Sequence, residues 1–375
     1  MKRILLYYPS NKRSIAIESQ ILELRNLGHQ ILFLTTCEKG DIHKKLEEEG
    51  FKTYTNIAKS SNSLLYYLNN ILFLIRFCRT HNIDFVFSNL QHVNFIAVLS
   101  QFFIKSKVIA FRHHFKFNKG NFGIPLQVNK TEVLFDKVIN RFAKKIVVPS
   151  SGVQNGMLQY EKVSKDKLSI IPYLYDFSKY KIPSAETVEK IKEQFPAKLR
   201  VIMIARLIPF KRHILIFPVI KKLVDKGLDI KLLVFDEGPE SQNLNDYILK
   251  NKLENHIFML GFKRNLLDYM KASDLIIHPS ITEASNNVIK EIGLQEKAVA
   301  VCKGVGDFDD YIQHGKNGYF MDITEPEKDA EIIIEKIYNN PSLIRTLGGE
   351  LNTTITSTFG NRDSVVKMYS DLIND

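Results

Sequence analysis

Short apolar runs rich in β-branched residues alternate with helical patterns along the first half of the chain. The runs predict strands at residues 3–8, 31–35, 84–88, 108–111, 146–149 and 168–171. The first of the intervening helices carries Ile17, Ile21 and Leu24 at helical spacing and ends at Gly28. This alternation is typical of βαβ units and a mostly parallel sheet.

The periodicity lapses between Ser178 and Pro196 and restarts with the run RVIMIAR. Further strands are predicted at residues 201–204, 230–235, 257–259, 275–278 and 298–302. The pattern therefore predicts an α/β protein of two Rossmann-like domains, 1–175 and 176–359, facing each other across a cleft. A helix at about 360–375 is expected to pack back onto the first domain. A chain of 375 residues is long enough for two such cores.

Charge is distributed unevenly between the halves. Residues 1–175 hold 25 Lys and Arg against 12 Asp and Glu, and the remainder holds 27 against 29. The basic first half predicts an anionic partner, which on charge alone is nucleic acid, a membrane surface or an acidic substrate.

The location predicted from the sequence is the cytoplasm. Apolar residues at the start stop before Ser10, so no signal peptide is expected. The three cysteines form no CxxC pair, which favours a reducing compartment. The apolar helices 64–77 and 93–104 are interpreted as core, and neither reaches the roughly 20 residues that a membrane span needs.

The phosphate-binding fingerprints of two common classes are missing. No GxGxxG follows the first strand and no GxxxxGK[ST] occurs, which argues against dinucleotide oxidoreductases and P-loop NTPases. A ligand is still expected at the carboxyl ends of the parallel strands.

Three segments of the second half carry candidate chemistry. ARLIPFKRH contains Arg206 and Lys211, FDEGPES contains Gly238, and ITEASNNVIKE contains Glu283 and Glu291. In this order and spacing, and with SDLIIHPS and GKNGYF beside them, they resemble the donor domain of retaining GT-B glycosyltransferases of family 4. The resemblance implies a nucleotide diphosphate sugar as donor.

The two glutamates are predicted to hold two ends of that donor, because eight helical positions separate them by about 12 Å of rise. Glu283 is assigned to the sugar hydroxyls and Glu291 to the ribose. The peptide N–H groups of Ala284, Ser285 and Asn286 are assigned to the diphosphate, at a helix N-terminus. The full predicted donor set, in which family resemblance places 261–263 beside the base, is Gly238, Gly261, Phe262, Lys263, Ala284, Ser285, Asn286, Asn287, Val288 and Glu291.

Arg206 and Lys211 are predicted to neutralise the departing diphosphate, so no metal is expected. The segment DFDD at 307–310 leaves two interpretations open, a metal-binding DxD motif or a helix cap or solvated turn, and the cap or turn is favoured. No cofactor is expected beyond the nucleotide sugar, for which UDP is favoured over GDP.

The first half resembles the family less closely. Family members commonly present a histidine toward the donor sugar, which implies His113, with His114 as the alternate. With Glu283, Arg206 and Lys211, His113 completes the predicted catalytic set. Acceptor-side residues are predicted to be Ser10, Asn11, Arg112, His114 and Lys116, the last of which begins a basic aromatic loop to Lys130.

The function predicted is transfer of a hexose or N-acetylhexosamine, with retention, to a glycan or lipid-linked acceptor in bacterial surface polysaccharide synthesis. Peripheral attachment to the inner face of the cell membrane is expected through residues among Lys12, Arg13, Lys116, Lys119 and Lys130. Two alternatives stay open: a nucleotide-sugar epimerase of the same fold, and a basic nucleic-acid-binding protein. The second lacks a recognition motif, so nucleic acid is not an expected partner.

Overall fold

A computed structural model describes residues 1–57, 62–115 and 130–374. Their contacts divide them into two compact units. The first contains the described residues up to Asp176 and those from Asn361 onward, and the second is Phe177–Gly360.

The first unit is built on a seven-stranded sheet whose neighbouring strands are all parallel. Its strands are β1 (Arg3–Tyr8), β2 (Gln30–Thr35), β3 (Lys52–Thr55), β4 (Phe85–Asn89), β5 (Lys107–Phe111), β6 (Lys145–Val148) and β7 (Leu168–Ile170), in the order β3-β2-β1-β4-β5-β6-β7. The helices are α1 (Ile15–Asn26), α2 (Asp41–Glu48), α3 (Ser63–Thr80), α4 (Gln91–Ser100), α5 (Lys130–Phe142) and α6 (Ser151–Tyr160).

The second unit has a six-stranded parallel sheet in the order β10-β9-β8-β11-β12-β13. Its strands are β8 (Leu199–Ile204), β9 (Ile230–Phe235), β10 (Ile257–Gly261), β11 (Leu275–His278), β12 (Ala298–Cys302) and β13 (Tyr319–Met321). Its helices are α7 (Ala185–Gln194), α8 (His213–Asp225), α9 (Ser241–Lys250), α10 (Leu266–Ala272), α11 (Asn287–Leu294), α12 (Phe308–Tyr311), α13 (Pro326–Asn339) and α14 (Ser342–Phe359). Helix α15 (Arg362–Asn374) follows and belongs to the first unit.

The eleven strands predicted from the sequence all form, with ends that differ by at most two residues. The two that were not predicted, β3 and β13, are edge strands of four and three residues. An edge strand pairs on one side only, and these carry no long apolar run, so periodicity does not reveal them.

Two clusters of apolar side chains form the core of the first unit, one on each face of its sheet. One joins the strands to α3, α4, α5 and α6, and the other joins them to α1, α2 and α15. Helix α15 contributes Val365, Tyr369, Leu372 and Ile373 to the second cluster, and its Arg362 pairs with Glu23 of α1 at 2.7 Å.

The interpretation of residues 64–77 as a core helix is only half correct. Leu74 and Phe77 are buried in α3, but Leu64, Leu65 and Leu72 are each more than half exposed. The prediction for residues 93–104 holds for α4 itself, whereas Phe102 and Phe103 just beyond it are 60% exposed. Apolar composition predicts burial for a whole helix, although packing against a sheet covers only one face. No helix in the described ranges is long and apolar enough to cross a membrane.

Candidate active site

The predicted donor residues of the second unit follow the carboxyl ends of neighbouring parallel strands. Arg206 follows β8, Gly238 follows β9, Gly261 ends β10 and Glu283 follows β11. Because the strands are parallel and adjacent, these residues reach the same edge of the sheet. Strand pairing thus assembles a site from segments almost 80 residues apart in sequence.

Glu283 lies at the centre of a buried charge cluster. Its Oε1 forms an ion pair with Nζ of Lys211 and lies 2.6 Å from Nε2 of His278, the last residue of β11. Burial alone would raise the pKa of Glu283, but the hydrogen bond and charge of His278 and the charge of Lys211 outweigh it and lower that pKa. The carboxylate is therefore held ionised and fixed in position.

Lys211 is held in place by its neighbour in sequence. A 3₁₀ turn, Pro209–Lys211, ends at Arg212, whose φ of 53° is in the left-handed region. The buried Arg212 guanidinium donates to the carbonyls of Pro279 and Ile323, at 2.7 Å each. These bonds tie the loop after β8 to the loops after β11 and β13. Arg212 was not among the predicted residues, because sequence alone does not distinguish it from a surface cation.

Arg206 and Lys211 differ in availability. Arg206 is exposed and forms no ion pair within the described part of the chain, so its guanidinium is open to an incoming anion. Lys211 is partly buried and already neutralised by Glu283. A diphosphate contact therefore stays a prediction for Arg206, while Lys211 orients Glu283 in this structure.

Two glycines allow the loops to approach each other. A Cβ on Gly238 would lie 2.3 Å from the carbonyl oxygen of Leu207, next to Arg206. A Cβ on Gly306, which has a φ of +59°, would lie 2.7 Å from Cβ of Glu283. Side chains at either position would push Arg206 or Glu283 out of place.

A buried ion pair connects the segment after Glu283 to the loop after β12. Nζ of Lys290 lies 2.5 Å from Oδ2 of Asp307, and their side chains are 1% and 3% exposed. The same Asp307 accepts hydrogen bonds from the Ser285 hydroxyl at 2.6 Å and from the Asn286 N–H at 3.2 Å. Lys290 also lies over the ring of Phe359, 4.5 Å from its centroid.

This network corrects two predictions. The N–H of Asn286 was assigned to the diphosphate, but Asp307 already accepts it, and the Asn286 side chain caps α11 by accepting from the Ile289 N–H at 3.0 Å. Asp307 was interpreted as a cap of the following helix, yet its side chain makes no cap bond to α12 and pairs with Lys290 instead. Asp309 accepts from the Gly304 N–H at 2.6 Å. Within the described ranges, no group of three or more His, Cys, Asp or Glu is placed to hold a metal.

Glu283 precedes the helix, and Glu291 lies inside it. Because α11 begins at Asn287, followed by Val288, the rise calculated for two helical glutamates does not apply to this pair. Burial raises the pKa of Glu291 to about 7, although a hydrogen bond with Tyr180 and the charge of Lys290 act in the opposite direction. A carboxyl group with so strongly raised a pKa is typical of a ligand-binding position.

The remaining donor residues lie at the same edge of the sheet. Gly261 has a φ of +64°, and its carbonyl accepts from the Asp236 N–H at 3.0 Å. Phe262 is 68% exposed and Lys263 is partly buried. Ala284 is buried next to Glu283. The exposed ring of Phe262 offers a flat apolar face beside the strand ends, and its placement near a base stays a prediction.

In the first unit, His113 is held from both sides. Its Nδ1 bonds to the Tyr173 hydroxyl, and its Nε2 lies 3.2 Å from Oδ1 of Asn89. Burial, and then the neighbouring His114 and Arg112, lower the pKa of His113 to about 3. The imidazole is therefore neutral at physiological pH. Asn89 and Tyr173 were not predicted, since neither lies in a motif.

The predicted acceptor-side residues have different surroundings. Arg112 is 5% exposed and pairs with Asp136 at 3.2 Å and Glu161 at 3.1 Å, so its predicted acceptor role is wrong: burial between two carboxylates makes it structural. Asn11 donates from Nδ2 to the Glu38 carbonyl at 3.1 Å. Three further residues complete the account: Ser10 is partly buried, His114 is exposed, and Lys116 lies outside the described residues.

Comparison with known proteins gives this geometry a family. Residues 16–179 match the model of Glycosyltransferase Family 4, and residues 185–348 match that of Glycosyl transferases group 1.

Two curated relatives and one solved structure illustrate the likeness. An uncharacterized glycosyltransferase of Methanocaldococcus jannaschii is 28% identical over 66% of this chain. The N-acetylgalactosamine-N,N'-diacetylbacillosaminyl-diphospho-undecaprenol 4-alpha-N-acetylgalactosaminyltransferase of Campylobacter jejuni is 24% identical over 65%. In both cases the match spans 64% of the relative's own length. The crystal structure of HepE from Anabaena, in complex with UDP, superposes with a TM-score of 0.81 at 19% identity over 100% of both chains, and it establishes the GT-B fold.

Proposed function

The chain is built from a Glycosyltransferase Family 4 domain followed by a Glycosyl transferases group 1 domain, and from this premise we propose that it is a sugar transferase. It moves a hexose or N-acetylhexosamine from a nucleotide diphosphate sugar, with retention, to a glycan or lipid-linked acceptor. Arg206 and Glu283 after strand ends of the second sheet, with Glu291 in the helix that follows Glu283, carry the proposal. It offers two carboxylates for hydroxyl groups and a cation for the diphosphate.

Each group has a defined role in this proposal. The fixed carboxylate of Glu283 accepts hydrogen bonds from sugar hydroxyls, and Glu291 accepts those of the ribose. Arg206 stabilises the negative charge that grows on the leaving diphosphate, and a preorganised contact of this kind contributes about 3 kcal/mol to transition-state stabilisation. Lys211 keeps Glu283 ionised and in place. Because Arg206 supplies the positive charge at the diphosphate, the reaction proceeds without a metal.

The names of similar proteins support the finer assignments. HepE has been crystallised with UDP and with UDP-glucose, which favours a UDP-sugar donor. The Campylobacter jejuni relative is named for a diphospho-undecaprenol acceptor and an alpha linkage. Transfer that gives an alpha-linked product from an alpha-linked nucleotide sugar retains the configuration at the anomeric carbon. We extend the proposal to bacterial surface polysaccharide or glycan synthesis, carried out by an enzyme attached peripherally to the inner face of the cell membrane.

The test is release of UDP from UDP-sugars with and without acceptor. Transfer predicts UDP release that depends on an added glycan or lipid-linked acceptor, an alpha signal in the product's proton spectrum, and full activity in EDTA. Conversion of the sugar without acceptor would instead establish the epimerase alternative. Steeply salt-dependent DNA binding, with no turnover of any nucleotide sugar, would replace the proposal with a nucleic-acid-binding function.

A further inference from the structure

The two helix layers of the first unit have different outer surfaces. The layer of α3, α4 and α5, with the turns that follow them, exposes a series of large apolar side chains. The opposite layer is formed by α1, α2 and α15. Among its described side chains, Met368 is the one large apolar residue that is exposed, at 39%. The exposed apolar residues of the first layer are Leu64, Leu65, Leu68, Leu72, Phe102, Phe103, Leu134 and Phe142. Large apolar side chains exposed in this number on one helix layer indicate a binding surface.

Helix α3 carries a continuous stripe along this surface. Leu65, Leu68 and Leu72 are 51%, 45% and 52% exposed, and the exposed Arg76 and Arg79 continue the same helical spacing. The stripe is apolar at the amino end of α3 and cationic at its carboxyl end. The solvent-facing side of α3 is therefore itself divided into an apolar part and a cationic part.

The carboxyl ends of α3, α4 and α5 meet at one corner. Arg79 donates to the Phe103 carbonyl at 2.9 Å, and Gln101 donates to the Phe142 carbonyl at 2.9 Å. The ring centroids of Phe102 and Phe142 lie 5.8 Å apart. The end of α5 and the turn after α4 thus bring two exposed phenylalanine rings together.

Beside these rings lies a cavity of about 330 Å³ with a basic rim. Ile104 and Leu372 are among its apolar lining, and Lys105, Lys144 and Lys145 are among its cations. None of these three lysines forms an ion pair in the described ranges of the chain. A group of lysines next to exposed aromatic rings matches an anionic, amphiphilic surface.

The charge of the whole layer agrees with this corner. Helices α3, α4 and α5 together contain five Lys and Arg against two Asp and Glu. Helices α1, α2 and α15 together contain five against seven. Of the two helix layers, the one that exposes apolar side chains thus carries the excess of positive charge.

We propose that this basic apolar face, formed by α3, residues 101–107 and residues 130–145, docks on a bilayer of anionic phospholipid. Phe102, Phe103 and Phe142 enter the boundary between headgroups and acyl chains, and the lysines of the rim reach lipid phosphates while their stems stay among apolar groups. The cores of protein–protein interfaces are depleted of lysine, so the same composition disfavours a protein partner. The inference rests on the peripheral attachment proposed above and assigns it a surface.

The chain contains no tryptophan, which allows single-tryptophan reporters. We would compare Phe102→Trp and Phe103→Trp with Leu249→Trp in the second unit, whose parent side chain is equally exposed at 61%. With vesicles of phosphatidylglycerol and phosphatidylcholine at low salt, the first two should shift their emission to shorter wavelength and be quenched by brominated lipid. The control should do neither.

Loss of binding gives a second measurement. Phe102→Ser/Phe103→Ser should weaken vesicle affinity at least tenfold, because two exposed rings no longer enter the bilayer. The matched control Leu249→Ser/Ile332→Ser removes side chains of 61% and 63% exposure and should bind like the wild type. Lys105→Gln, Lys144→Gln and Lys145→Gln should each cost about fivefold, the factor for one cation near an anionic surface.

The outcomes separate the face from the function. If the wild type binds vesicles but the face variants bind equally well, and Lys12→Gln/Arg13→Gln/Lys116→Gln removes binding, the face is wrong and membrane attachment stands. If the wild type does not bind anionic vesicles at low salt, both the face and the attachment fail. UDP release with a soluble acceptor is measured separately, so neither failure is confused with failure of sugar transfer.

Discussion

Glu291→Gln should stabilise the protein at neutral pH while weakening its hold on nucleotide. Burial raises the pKa of Glu291 from 4.5 to about 7 in the folded protein. Below pH 4.5 both folded and unfolded states carry the proton. Between pH 4.5 and 7 the unfolded chain releases it and the folded chain retains it, so this group's contribution to stability is progressively lost as pH rises to about 7.

The size of the loss follows from the pKa difference. At about 1.4 kcal/mol per pH unit, a shift from 4.5 to about 7 corresponds to about 3 kcal/mol. Because Glu291 is only partly buried, screening by solvent reduces this to about 2 kcal/mol. Glutamine has the same shape without the charge, so the variant should avoid the loss.

The assay is urea unfolding of wild type and variant at several pH values from 4.5 to 8. The free energy of unfolding of Glu291→Gln, minus that of the wild type, should rise by about 2 kcal/mol across this range. Glu254→Gln, at an exposed position of the same unit, is the control, and its difference should stay flat. Affinity for UDP should be lower in Glu291→Gln at pH 8, because the ribose loses an ionised acceptor.

Two results would refute this reasoning. A difference in unfolding free energy that does not change with pH would show that Glu291 titrates in the folded protein as it does in water. Unchanged UDP affinity in the variant would show that Glu291 is buried for structural reasons and does not hold the ribose.

Three further predictions concern the other charged groups. Arg206→Ala should lower turnover at least tenfold, and the wild type should stay active in EDTA. Loss of activity in EDTA that manganese restores would contradict the metal-free proposal. His113→Ala should reduce turnover more than UDP affinity, and equal losses of turnover and UDP affinity would contradict a role at the sugar. The wild-type rate should show no His113 titration between pH 5 and 8, because the pKa of His113 is about 3. Lys290→Met should lower the unfolding free energy by about 3–5 kcal/mol by leaving the buried Asp307 carboxylate without its cation, and a cost below about 1 kcal/mol would contradict this. Lys290→Met/Asp307→Asn, which keeps an oxygen acceptor for Ser285 and Asn286, should regain most of the loss.

Periodicity predicted the fold well because parallel strands buried on both faces are apolar runs that stand out in a sequence. β9 and β11 are buried almost throughout, and their predicted bounds match the structure residue for residue. β3 and β13 escaped prediction because a short edge strand needs few apolar residues. The outer face of α3 was misjudged for the converse reason, since its leucines are apolar without being core.

The site was only partly predictable. Motif order placed Arg206, Lys211 and Glu283 near one another, since all follow strands of one parallel sheet. The pairing of Lys211 with Glu283, and of Lys290 with Asp307, depends on contacts between loops that are distant in sequence. His278 and Arg212 were missed because a lone histidine or arginine carries no sequence signal until its partners are known. Arg112 was predicted to contact the acceptor because it lies beside His113, but its side chain is buried.

The placement of α15 affects how the protein is made. Its Val365, Tyr369 and Leu372 complete a core whose other members lie before residue 175, with residues 177–360 synthesised in between. At about 5–20 residues per second, a ribosome needs roughly 10–40 s to traverse that interval. During this time the second unit can fold, while the nascent first unit exposes the apolar groove that α15 later fills. Chaperone occupancy on the nascent chain should therefore persist until residues 362–374 emerge, although the first unit begins at residue 1.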